Sequence, residues 1–439
     1  DGMLGAMPVP RLVVTMSLPI MLSMLISAVY NLVDSVYVAQ YSDEAFLALS
    51  YAYPIQMLLV AFCSGIGVGF SAIFSRRLGE GDQEQAASAV CHGFFLYGLC
   101  WLLFLLFALT GAAPFLRLST EDPSVARQGA QYLLICCGLS IGTCMQFLTE
   151  RILQAMGRPA GFMIVQGSGA ILNLILDPIF IFVLDLGVAG AAAATVIGQI
   201  SGALIGFWLV YRLRRQLPIR LRGFRPRGEM LAEMGRVAAP AVVMQSLSSF
   251  MSLGLNQLLT RWSESAVFVL GAYFKLQTFI FMPIFGISSG LIPILSYNYG
   301  SGALRRVSAS VRFGQQFTAV LSLSGALLLS LLASPLLRSA FRASPEALAM
   351  GAPALRIIAL SFFFAGTSII FCSAFQSLGR SRWSLLVALL RQILLLLPAA
   401  ALLLALKPAL VWAAFPLSEL ISCFAAALLY RRTIQKQLL

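Results

Sequence analysis

Asn173 and Asp177 lie four residues apart in "AILNLILDPIFIFVL", residues 170–184, a stretch built otherwise almost wholly from Ile, Leu, Phe and Val. Four residues is about one helical turn, so the amide and the acid share a helix face. Asp34 repeats the theme in "SAVYNLVDSVYVAQ", three residues after Asn31. An ionised Asp at the centre of a membrane helix costs about 2.5–3.5 kcal/mol even on the lenient insertion scale. Two such carboxylates facing each other in a low dielectric cannot both stay ionised cheaply. The pair therefore either takes up a proton near physiological pH or shares a cation. The candidate ligands are all oxygens: the carboxylates of Asp34 and Asp177, the amide carbonyls of Asn31 and Asn173, and the Thr195 hydroxyl on the next span. Such a set suits H⁺ or Na⁺ rather than a soft metal, with Asp34, Asn173, Asp177 and Thr195 as the Na⁺ ligands. The alternative is a pair of buried, hydrogen-bonded acids that merely holds helices together, although polar glue of that kind usually uses Ser, Thr or Asn.

The elements that must position these groups are membrane spans. Of 439 residues, 59% are hydrophobic and 11% charged, against about 25% charged in soluble domains, and the mean hydropathy is +0.88. Apolar runs near or above the ~20 residues that cross a bilayer fall at 10–39, 46–75, 87–113, 126–155, 160–184, 187–211, 237–260, 266–296, 309–335, 347–378, 383–406 and 408–430. Twelve spans are expected. The first is too long for a signal peptide and lacks a convincing cleavage site, so it is expected to be retained.

Shifted by 221 residues, the sequence meets itself: Pro19 falls on Pro240, Gly65 on Gly286, Gly69 on Gly290, Gly79 and Gly81 on Gly300 and Gly302. One further residue of shift aligns Pro123 with Pro345, Gly129 with Gly351, and "LQAMGRP" with "FQSLGRS". Such regularity marks an internal duplication. The expected fold is an all-α polytopic membrane protein of twelve helices in two six-helix bundles, residues 1–215 and 216–439, joined by a basic loop at about 212–236. An even number of spans per copy keeps both copies in one orientation, so the pseudo-two-fold axis runs along the membrane normal, as in parallel-repeat transporters. Two facing bundles leave a cleft that can open to either side in turn, which favours a carrier.

Net charge is +13, but its distribution argues against nucleic acid. Arg76, Arg77, Arg158, Arg305, Arg306, Arg380, Arg382, Arg431, Arg432, Lys436 and eight arginines within 212–236 fall on one side of a twelve-span layout. That asymmetry follows the positive-inside rule and puts both termini in the cytoplasm; the central loop also suits anionic membrane lipid. Enzyme chemistry finds no support. The chain has one histidine, His92, no H-E-x-x-H and no Gly-Lys pair for a P-loop. Its eight cysteines show no C-x-x-C spacing and read as small apolar packing residues. No cofactor is expected beyond the coupling ion.

Fourteen of the seventeen acids lie in loops or near span ends, leaving Asp34, Asp177 and Glu419 well inside. Glu150 is expected to pair locally with Arg151, and Glu419 either to serve substrate or ion or to pair with Arg391 or Lys275. Pro19, about four turns before Asp34, permits a kink in the first span. Tyr37, Met251, Phe279 and Met282 offer an adaptable aromatic and thioether lining, with Gln245 and Asn256 to orient polar groups; each serves packing equally well.

"LPIMLSMLISAVYNLVDSVYVA", "LQAMGRP", "ILNLILDPIFIF" and "LGVAGAAAATVIGQ" together resemble the multidrug and toxic compound extrusion (MATE) family, prokaryotic type, over the whole length. The resemblance implies a V-shaped twelve-helix antiporter of the cell's inner (plasma) membrane, acting as a monomer. It implies export of cationic or amphipathic organic compounds against inward H⁺ or Na⁺, with the cation site in the N-terminal half. The family's first-helix Asp matches Asp34, its fifth-helix Asn and Asp match Asn173 and Asp177, its sixth-helix Thr matches Thr195, and its first-helix proline matches Pro19. Some branches carry acids on helices seven and ten; this chain has Gln245 in the first of those segments and none in the second. A related function, flipping of lipid-linked saccharides, calls for a cavity lined by several Arg or Lys, and few bases lie inside the spans here.

Overall fold

The computed structural model describes residues 2–438. Its long helices are α1 (Val9–Tyr41), α2 (Asp43–Gly79), α3 (Gln83–Thr110), α4 (Pro123–Gly138), α5 (Ile141–Ala155), α6 (Pro159–Val183) and α7 (Gly187–Arg212). The second repeat continues with α8 (Gly228–Thr260), α9 (Glu264–Gly300), α10 (Leu304–Ala340), α11 (Pro345–Ala359), α12 (Phe362–Ser377), α13 (Ser381–Leu406) and α14 (Pro408–Gln435). Among the described residues, ten of these are long and apolar enough to cross a membrane singly, and the bent pairs α4–α5 and α11–α12 bring the spans to twelve. The all-α, twelve-span architecture read from the sequence is the one observed. At 37 residues each, α2 and α9 extend about 55 Å, well beyond a hydrocarbon core of about 30 Å.

The duplication is visible in local chemistry. Ser42 caps α2 by accepting from the Ala45 N–H, and Ser263 caps α9 by accepting from Ser265. Both bent pairs turn by 43°, and in both a serine sits at the break. Ser140 Oγ donates to the Cys137 carbonyl (2.7 Å) and Ser361 Oγ to the Ile358 carbonyl (2.6 Å). A hydroxyl that takes a backbone carbonyl competes with the helical ladder and bends it. Six glycines among the described residues adopt φ > 0 without strain, and four of them sit at repeat-related turns. These are Gly81 and Gly302 (78° and 74°), then Gly157 and Gly379 (72° and 76°).

Packing divides the chain into two compact units, one of Asp1–Gly5 with Leu22–Val242, the other of Ala6–Met21 with Val243–Leu439. Neither boundary falls at 215/216, the division expected from the repeat. Instead α1 and α8 each change unit partway along, two or three residues after Pro19 and Pro240. The first unit's core centres on Phe70, Phe74, Tyr97, Tyr132 and Leu148, all fully buried, with Phe70 and Phe74 stacked at 5.2 Å. The second centres on Phe281, Phe362, Tyr273, Phe415 and Trp412, with Phe281 edge-on to Phe362 at 5.2 Å.

The basic segment after α7 lies against the first unit. His92 is fully buried, pairs through Nδ1 with the Ser88 carbonyl (2.7 Å), and accepts the Arg227 backbone N–H on Nε2 (2.9 Å). Arg227 Nη2 donates to Ser88 and Gln85, and Arg77 is bridged to Glu233 at 3.0 Å. The lone histidine thus fastens the linker to α3.

Candidate functional site

The first unit brings Asp34 of α1 to Asp177 of α6. The two carboxyls interact with each other inside the first unit, and two acids so placed in a low dielectric favour a shared proton or cation over two bare charges. They are 7% and 0% exposed, and Oδ1 of each has no hydrogen-bond partner. Asn173, oriented by its hydrogen-bond network, donates its amide N–H to Asp177 Oδ2 (2.8 Å). Its carbonyl accepts from the Thr195 hydroxyl (3.1 Å) and backbone N–H (3.2 Å). Four side chains from α1, α6 and α7 therefore form one buried oxygen-rich cluster.

Backbone features hold that cluster together. Gly169 of α6 and Gly198 of α7 let the two helices touch: a Cβ at Gly198 would stand 2.6 Å from the Gly169 carbonyl and 3.3 Å from Asn173 Cβ, and one at Gly169 would stand 2.8 Å from the Gly198 carbonyl. Close small-residue contact of this sort drives helix association in membranes, and here it sets Asn173 beside Thr195. Directly after Asp177, Pro178 removes a backbone donor, and α6 continues as a π-helical turn over Ile179–Val183. Such turns recur at functional sites.

Asn31 is not in the cluster. Three residues turn a helix by about 300°, and Asn31 ends up exposed, with its carbonyl accepting from Ser35 Oγ (3.0 Å). Pro19 lies inside α1, two residues before the point where that helix changes unit. Tyr37 is half-buried in the first unit, edge-on to Phe182 at 6.2 Å.

In the second unit, Arg391 of α13 and Glu419 of α14 form a bidentate ion pair, Nε–Oε2 2.8 Å and Nη2–Oε1 3.1 Å, with side chains 10% and 13% exposed. Tyr273 lies within electrostatic reach of both. Lys275 is exposed and takes no part, so of the two bases named from sequence Arg391 is the partner. Met251 is buried in the apolar core, Asn256 and Met282 are half-buried, and Gln245 and Phe279 are exposed.

Several contacts escaped the sequence reading. Glu150 accepts from Gln146 Nε2 (3.0 Å), while Arg151 donates to Gln154 Oε1 (3.1 Å), so the expected local Glu150–Arg151 bridge is replaced by two amide contacts. Thr143 donates to Gln199 Oε1 (2.6 Å). Polar residues at helical spacing inside apolar runs were the available signal. The Sγ atoms of Cys63, Cys100 and Cys144, from three helices, lie within 4.8 Å of one another; no sequence spacing announces that convergence.

The MatE family profile matches residues 19–179 and 240–402, once in each repeat. The chain is 26% identical over 402 residues to the "Multidrug export protein MepA" of Staphylococcus aureus, covering 89% of this chain and 86% of that protein. It is also 26% identical over 417 residues to the "FAD transporter" of Shewanella oneidensis, covering 91% and 89%. Among solved structures, a MATE protein in complex with MaD3S superposes with a TM-score of 0.92 at 23% identity, covering 99% and 98% of the two chains. A mutant of the Vibrio cholerae MATE transporter VcmN superposes with a TM-score of 0.89 at 24% identity, covering 98% and 97%.

Proposed function

The chain belongs to the MATE family of transporters, and from that premise we propose that it is a secondary antiporter exporting cationic or amphipathic organic compounds in exchange for inward H⁺ or Na⁺. The observation that carries the reading is the buried, mutually interacting Asp34–Asp177 pair, each with a buried oxygen lacking a partner. Those two oxygens are hard ligands that fit a proton or a sodium ion, while Asn173 spends its N–H on Asp177 Oδ2 and its carbonyl on Thr195 and so fixes the acid in place. In this scheme the ion occupies the pair while substrate is away. Its release leaves two facing carboxylates, a state costly enough to make the next ion's return favourable.

The reading places the protein in the inner (plasma) membrane with both termini in the cytoplasm, which the distribution of arginine supports. Substrate contact is assigned to Tyr37 in the first unit and to Gln245, Met251, Asn256, Lys275, Phe279 and Met282 in the second, with the paired Arg391 and Glu419 as a polar neighbour to test. The pairing consumes the one half-buried base of that set, which counts against a cavity for pyrophosphate lipids. The deciding experiment is gradient-driven efflux of ethidium from proteoliposomes, with pH and Na⁺ gradients imposed separately and FAD as a second substrate. Efflux driven by either gradient and abolished by Asp34→Asn is expected; no gradient-driven movement of either compound defeats the reading.

A further inference from the structure

A second set of buried and half-buried polar side chains runs from the acid pair toward the ends of α5 and α7 at Ala155 and Arg212. Gln199 lies one turn beyond Thr195 on α7 and accepts the Thr143 hydroxyl of α5 at 2.6 Å. One turn along α5, Gln146 lies against α7 where Gly202 leaves room, its Cδ 3.4 Å from the place a Cβ would occupy. Gln146 then donates to the carboxylate of Glu150 at 3.0 Å. From α1, Tyr30 stands one turn before Asp34 and lies within electrostatic reach of Asp34, Asp177 and Glu150 alike. All of these residues belong to the first unit.

Glu150 is only 2% exposed. Its hydrogen-bond partner is a neutral amide, and among the described residues no base comes within salt-bridge distance. The charged and titratable groups facing it are Arg151 beside it, Tyr30 from α1 and, through Arg151, Tyr97 from α3; α2, α6 and α7 add none among the described residues. A permanently charged acid in such a place is expensive, and a structural hydrogen bond to Gln146 needs only an amide.

We propose that Glu150 is a second proton-binding station of the first unit, receiving the proton that leaves the Asp34–Asp177 pair and passing it to the Arg212 end. The inference rests on the coupling role proposed for that pair and commits the coupling ion to H⁺. On release the acid pair loses one proton and gains one negative charge. The Glu150 carboxylate takes that proton, becomes a neutral acid, and later gives it to water on the cytoplasmic side, regaining its charge. The hydroxyls of Tyr30 and Thr143, which both accept and donate, are the groups along the way able to hand a proton on. The amides of Gln199 and Gln146 hold the column in register.

The test uses the full chain in proteoliposomes with ethidium, measuring initial antiport rate against pH on each face in turn. Glu150→Gln keeps the contact to Gln146 and is expected to lower kcat at least fivefold, to leave KM for ethidium within twofold, and to flatten the pH dependence on the cytoplasmic face. Glu150→Asp is expected to restore most of the rate and the pH dependence. If Glu150→Gln does not yield a monodisperse protein, Thr143→Val supplies the same readout from the other end of the column. A wild-type rate and pH profile in Glu150→Gln or Thr143→Val overturns the proposal, as does antiport driven by Na⁺ without proton movement. Unchanged transport in Asp34→Asn brings down the coupling site itself, whereas an inactive Asp34→Asn beside a normal Glu150→Gln brings down the station alone.

Discussion

Each repeat buries a charged group on its fifth span, α6 and α13, and finishes it differently. In the first, α6 meets α7 and α1 through Asp177, Asn173, Thr195 and Asp34, leaving one oxygen of each acid without a partner. In the second, α13 meets α14 through a bidentate Arg391–Glu419 pair that satisfies both members. At an offset of 221 or 222, Leu255, Leu395 and Ala399 stand where Asp34, Asn173 and Asp177 stand in the first copy. The duplicated scaffold tolerates a polar centre in either half. A matched base turns it into a fastening; in the proposed cycle, the absence of one leaves an acid free to exchange a proton or a sodium ion.

That contrast can be broken by substitution. The largest effect is expected at the acid pair: Asp177→Asn should lower gradient-driven efflux by tenfold or more, while the protein still elutes as a single species. Next comes Gly198→Leu, whose side chain must displace the Gly169 carbonyl. It should separate α6 from α7, reducing efflux and thermal stability together. Smaller still is Glu419→Gln, which strands Arg391 at a loss of about 3 kcal/mol, since breaking one side of a buried pair leaves an uncompensated charge. The double variant Arg391→Met with Glu419→Leu should recover most of that stability and keep the ion dependence of transport. A double variant that is stable but uncoupled would show the second pair to be part of the machinery. The smallest effect is expected at the bends, where Ser140→Ala and Ser361→Ala should each shift stability by about 1 kcal/mol, the worth of one hydrogen bond, and by similar amounts in the two halves.

Much of this was legible because lipid is an unforgiving solvent. An Asp within a run such as "ILNLILDPIFIF" stands out on composition alone, and the four-residue spacing placed Asn173 beside it correctly. The span count followed from run length, and the repeat from recurring Gly and Pro. What failed to appear was anything decided by helix rotation or by partners distant in sequence. Asn31 sits on the wrong side of its turn by about a sixth of a circle. Choosing Arg391 over Lys275 as the mate of Glu419 required knowing which way α9 and α13 face. Glu150 was discounted because Arg151 is its neighbour in sequence, although adjacent helical residues point about 100° apart. The exchange of α1 and α8 between units is marked in the sequence by nothing beyond Pro19 and Pro240.

The bare meeting of Gly169 with Gly198 has a mechanical consequence. With peptide against peptide and no side chain to act as a cushion, α6 and α7 have no room to slide past one another and must travel as a single plank. Asn173, Asp177 and Thr195 then form a fixed half-socket, and under the proposed cycle Asp34 on α1 is the member left to move.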